Sequence, residues 1–192
     1  MWCKFFIFFV LYFAILSLGF GQDSSALIVK VPFDSIAVTN VRAVGNIQTG
    51  SVEISLDFRN DYHELVDLHW SVGGFDGLGM TDDKGEFYKI YTSTKAIGAA
   101  GINKGYLQIK GVQFGSKKMD WLTYVKDTVN AGNTKKLKVT IPKMQKDVAV
   151  IKEFHARCIL SVSQMWVGDE QFTIDNIKIE WSPRPNPVGD IN

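Results

Sequence analysis

The densest group of side chains able to do chemistry is acidic: Asp82, Asp83 and Glu86 in the stretch Gly79–Tyr91, GMTDDKGEFYKIY, with Asp76 three residues before it. Carboxylates in such numbers suit a hard cation such as calcium, with Gly77, Gly79 and Gly85 permitting the bends. The spacing is not that of a helix-loop-helix calcium loop, which alternates oxygen ligands and closes on a bidentate acid at position twelve. A simpler reading needs only the residues present: Asp83 and Lys84 start a chain reversal and Gly85 supplies a positive φ before Phe87 opens a strand. Asp82 and Asp83 as an acid–base pair would need environments that push their pKa values apart, and a polar loop offers none.

Other candidates are sparse. His63, Asp67 and His69 share a parity and could present two imidazoles and a carboxylate to zinc. Six residues of strand span about 20 Å, however, so only a bend before Asp67 would bring them together. Cys158 lies in FHARCILSV on the side of Phe154, Ala156, Leu160 and Val162, where a thiol behaves as a small buried hydrophobe. No nucleophile elbow, phosphate loop, dinucleotide fingerprint or Cys-x-x-Cys pair occurs. The aromatic residues suit binding better than catalysis. Trp121, Tyr124 and Trp166, with Tyr62 and Tyr88, fall in or near connecting segments, where rings can anchor a protein or stack on a sugar.

The elements that must position these residues read as strands. Ser51–Phe58 alternates Val52, Ile54, Leu56 and Phe58 against polar neighbours, and Glu64–Val72 does the same with Val66, Leu68, Trp70 and Val72. Further strands are predicted at 36–44, 87–91, 106–114, 137–141, 154–162 and 172–181, giving an all-β, two-layer antiparallel sandwich. Parity breaks beside Asn40, Gly111 and Asn176 predict β-bulges. One segment reads as a helix: Met119, Leu122, Val125 and Val129 are helically spaced between Ser116 and Gly132, although Thr123, Tyr124 and Thr128 favour strand.

The first residues supply an address. Lys4, the apolar run Phe5–Leu18 and the small residues Gly19 and Gly21 form a secretory signal pattern over residues 1–21. Residues 22–34 then read as a leader, 35–182 as the sandwich and 183–192 as a frayed tail with Pro183, Pro185 and Pro187. Lys4 is the only charge in the signal segment, so the remainder carries equal numbers of basic and acidic side chains. That balance gives no electrostatic case for nucleic acid or an anionic membrane, and no stable membrane insertion is expected after signal cleavage. With Cys3 removed, Cys158 has no partner for an internal disulfide.

Four short stretches follow one another in an order that resembles that of a known class of protein: VTNVRAV, then GSVEISLDFRND, then TDDKGEFYKI, then NAGNTKKLKVTIP. Together with the closing FTIDNIKIEW they are similar to secreted bacterial immunoglobulin-like domains of unknown function, over about residues 36 to 181. The resemblance implies an immunoglobulin-like sandwich acting as a binding or accessory module, with no catalytic residues to carry over.

The sequence thus predicts a non-catalytic secreted or periplasmic module that meets a protein partner through Trp121, Tyr124 and Trp166. A cation- or carbohydrate-binding accessory domain, with calcium at Asp76, Asp82, Asp83 and Glu86, is the alternative. A hydrolase with a dispersed site is the second alternative. No resident cofactor is expected beyond that calcium.

Overall fold

The computed structural model describes residues 26–72, 77–89, 107–109, 111–119 and 124–183. Asp76, Trp121, the segment Ser93–Tyr106 and the proposed signal peptide lie outside them. Thirteen strands and no helix occupy the described residues: β1 (Ile28–Lys30), β2 (Ile36–Asn46), β3 (Val52–Asn60), β4 (Val66–Ser71), β5 (Gly79–Asp82), β6 (Phe87–Lys89), β7 (Leu107–Gln108), β8 (Gly111–Phe114), β9 (Lys117–Lys118), β10 (Tyr124–Val129), β11 (Thr134–Ile141), β12 (Val150–Val162) and β13 (Met165–Ser182).

They form two layers. In the first, β12 runs beside β13 on one edge and meets β5 and then β4 on the other, with β6 and β7 beyond β5 and β10 beyond β4. In the second, β2, β3, β11, β8 and β9 follow in order. The long β13 belongs to both, because its end, Ile179–Ser182, leaves β12 and pairs in parallel with Ala43–Asn46 of β2. The result is an all-β two-layer sandwich, antiparallel except at the β13–β2 and β6–β7 pairs.

Alternation decides which side chains fill the space between the layers. Val52, Ile54, Leu56 and Phe58 face Val66, Leu68 and Trp70 across it, and all are buried. The centre is aromatic: Phe58 lies 4.5 Å from Trp70, 5.6 Å from Phe172 and 6.0 Å from Phe114, ring centroid to centroid. Truncating Phe58 or Trp70 to alanine would cost about 3–5 kcal/mol, since the rings around each are locked to one another.

Left-handed asparagines mark two changes of face. Asn40 has φ 52°, and the β2–β3 register slips by one residue between Thr39 and Arg42, which is the bulge its parity break predicts. Asn176 has φ 64°, but there the register with β12 runs through unchanged. β12 turns over at the same level, with Ile151 and Phe154 buried around exposed Lys152 and Glu153. The extra residue is instead absorbed against β5, whose register with β12 shifts between Ile151 and Glu153.

Three sequence expectations are corrected. The segment read as a helix contains β10, which pairs along its whole length with β4. Val125, Asp127 and Val129 point inward and Lys126 and Thr128 outward, so the two-residue period and the β-branched residues win over the helical spacing. The strand predicted over 106–114 is two strands in different layers: β7 joins β6 and β8 joins β11, so Gly111 opens a strand instead of bulging one. The predicted leader contains β1, which pairs with Thr173–Asp175 of β13.

Candidate functional site

The acidic cluster folds as a turn. Asp82 is buried, and its Oδ1 accepts the backbone N–H of Lys84 at 2.8 Å and of Glu86 at 3.0 Å. Its Oδ2 accepts the hydroxyl of Tyr88 at 2.7 Å, while Gly85 takes φ 82°. Asp82 is therefore enclosed, contrary to the solvated loop that its polar neighbours imply. Tyr88, expected near a loop surface, is fully buried, and burial followed by the hydrogen bond to Asp82 raises its pKa well above the usual phenol value. Asp83 turns the other way and accepts the N–H of Ala149 at 3.2 Å, tying the hairpin to the start of β12. Glu86 is half-buried beside it. Among the described residues no three of His, Cys, Asp and Glu gather as metal ligands.

The histidines are dispersed too. His69 packs its ring 4.6 Å from that of Tyr124, Asp67 pairs with Lys126 at 3.6 Å, and His63 is exposed in the β3–β4 connection. His155 lies near Phe87 and bonds Glu153 at 3.0 Å. Cys158 is buried on the inner face as its parity predicts, and loss of solvent pushes its thiol pKa up.

Among the described residues the most exposed large apolar side chains are on the hairpin joining β12 to β13. Val162 and Met165 close a two-residue turn in which both Ser163 (φ 47°) and Gln164 (φ 71°) are left-handed, the geometry that matches strand twist. Neither residue is glycine, so the turn holds strain of about 1–3 kcal/mol per residue. It is tied down from the side: the N–H of Ser163 donates to the carbonyl of Leu65 at 3.0 Å, and its hydroxyl donates to Glu64. At the hairpin base Phe33 packs on Gly168, where a Cβ would come within 3.0 Å of the ring.

This braced tip carries an apolar surface. Met165 is 70% exposed, Trp166 69%, Val167 44% and Leu65 40%. Val167 is the extra residue of a bulge, since Leu160 pairs with Gly168 but Ser161 with Trp166. Several exposed apolar side chains gathered at one braced hairpin tip make it a candidate interaction surface.

Of the three aromatic residues singled out by sequence, Trp166 is on this tip, Trp121 lies outside the described residues, and Tyr124 is elsewhere. Tyr124 is level with Gln171 of β13, three strands away and five residues along, so about 20 Å separates it from Trp166. Met165, Val167 and Leu65 were not legible as site residues. A run of three apolar residues, Met165–Val167, between Ser-Gln and Gly was the available signal.

No family model matches the chain, and no curated protein matches it. Solved structures do. The ASH / PapD-like domain 7 of human CEP192 is 11% identical and aligns over 82% of this chain and 92% of its own, with a TM-score of 0.41. Self-complemented MyfA, the major subunit of Myf fimbriae from Yersinia enterocolitica, is 7% identical over 76% of this chain and 98% of its own, also at 0.41. The CooA pilin subunit from enterotoxigenic Escherichia coli is 10% identical over 79% and 99%, at 0.35. Such scores mark a loose likeness of strand arrangement, and nothing about activity or partner follows from them.

Proposed function

We propose that this chain is a non-catalytic binding module, secreted or periplasmic, that engages a protein partner through the tip formed by Leu65, Met165, Trp166 and Val167. The observation that carries the reading is the exposure of Trp166 on a hairpin whose turn is strained and cross-braced. A large ring held in water by a rigid support loses little side-chain entropy when a partner covers it, which is what a binding anchor requires. The address is supported by the signal pattern of residues 1–21.

The test is a photo-crosslinking amino acid in place of Met165, activated in the cells that make the protein, with and without Trp166→Ala. Protein adducts that disappear with Trp166→Ala support the reading. Adducts to lipid alone, or none, overturn it. Because Trp166 is largely solvated, Trp166→Ala should leave folding stability within about 0.5 kcal/mol of the parent, so loss of adducts would not reflect unfolding.

A further inference from the structure

The two ends of the sandwich are complementary in charge. Around the Trp166 tip, Asp34, Glu64 and Glu170 are exposed, and among the described residues none has a cation within ion-pair distance. Asp61, at the same end, is neutralised by Arg59 at 2.6 Å. At the far end the β2–β3 turn exposes Ile47, and the carbonyl of Gly50 in the same turn accepts the N–H of Met144 of the β11–β12 connection at 2.8 Å. That connection presents Lys143 and Lys146, both exposed and without an ion-pair partner among the described residues. The N–H of Ile47 donates to Ser182, which places half-exposed Trp181 beside it, with Trp181 Nε1 donating to Val148 two residues beyond Lys146.

One end is therefore an apolar patch rimmed by acids that have no ion-pair partner among the described residues, and the other an apolar patch rimmed by two lysines of the same kind beside the Lys84–Asp147 pair at 3.8 Å. We infer that the partner accommodated by the tip includes a second copy of this chain, docked head to tail, with Trp166 and its acidic rim against the Ile47–Lys143–Lys146 end of the next molecule. The inference rests on the reading of the tip as a protein-binding surface. Opposite charges at the two rims steer the copies into this orientation and oppose tip-to-tip pairing, in which acids would face acids. Because the two surfaces differ, each bound copy leaves one tip and one lysine end unfilled, so association proceeds to chains or closed rings, not to a terminal dimer.

Sedimentation velocity of the sandwich domain over a concentration series tests this. The parent should self-associate as concentration rises, about tenfold more weakly at high salt. Trp166→Asp alone, and Lys143→Glu with Lys146→Glu, should each abolish growth, while unchanged thermal midpoints show both variants folded. Their equimolar mixture is the decisive sample: the intact lysine end of the first fits the intact tip of the second, and a one-to-one dimer should reappear. A parent that stays monomeric throughout overturns the proposal, as does a mixture in which no dimer forms. The crosslinking at position 165 separates the two readings. Adducts only to other proteins would remove self-association and keep the tip as a binding site, whereas no protein adducts would remove both.

Discussion

Trp181 lies flat on the backbone of Gly45: a Cβ built on that glycine would sit 2.4 Å from Cε3 of the indole and 2.7 Å from two further ring carbons. The pair stands where β13 joins β2 in parallel, and the indole N–H reaches on to the carbonyl of Val148 at 2.7 Å. Gly45→Ala must displace the ring and break that hydrogen bond. Overpacking of this kind costs about 1–3 kcal/mol. Urea unfolding should show the loss, and tryptophan emission should shift to the red as the ring enters water.

The Asp82 turn predicts an ordered series. Tyr88→Phe removes one donor from a buried carboxylate and should cost about 1–3 kcal/mol. Asp82→Ala strands the Tyr88 hydroxyl and two backbone donors together and should cost more, with Asp82→Asn falling between. Since both Asp82 oxygens are already engaged, added calcium should leave the thermal midpoint of the parent unchanged. A midpoint that climbs with calcium concentration would make the acidic loop a cation site after all.

Acid should weaken the outer face of the first sheet at one identifiable pair. Arg157 donates two bonds of 2.6 Å to Asp169, and these hold the Asp169 carboxyl below its ordinary value of 3.8. A carboxyl with a lowered folded pKa contributes stability above its unfolded pKa and loses it as pH falls through the folded one. Arg157→Ala should therefore destabilise at neutral pH, and the difference from the parent should shrink once pH drops below 3.8. A difference independent of pH would mean that Arg157 acts through packing alone.

Cys158 should be silent to thiol reagents while the sandwich is folded, because it is buried on the inner face and its thiolate is disfavoured there. Labelling should follow the unfolding rate at high reagent concentration. Rapid modification of the native protein would show that the β4–β12 region opens locally.

The parts of this fold legible in sequence were those where one physical rule acted alone. Val52 to Phe58 alternate in a strand with one wet face, and Asp83, Lys84 and Gly85 contain the turn chemistry their positions require. Asn40 announced its bulge through a parity break. Legibility failed where tertiary partners decided. Val125 and Val129 fit a helix as well as a strand until β4 supplies a ladder. The first half of β13 has no apolar alternation, since its inward Gly168 is covered by Phe33 from a distant connection. Ser163 and Gln164 are not the Asn-Gly pair that signals a two-residue hairpin, so the tip went unread except for Trp166. The acids and lysines at the two ends are scattered in sequence and meet only in space.

The matched change of face in β12 and β13 also acts as a reading frame. Deleting one residue from Lys152–Glu153 alone would restore plain alternation from Ile151 to Phe154 but set β12 out of phase with β13, which keeps its own change of face, so the pairing between the two strands would break there. The same holds for Asp175–Asn176 and the closing segment through Trp181. Codons at these two sites can be lost or gained only as compensating pairs, one per strand. Length variation among descendants of this chain should accordingly appear at these four positions only in matched pairs, even where their side chains drift.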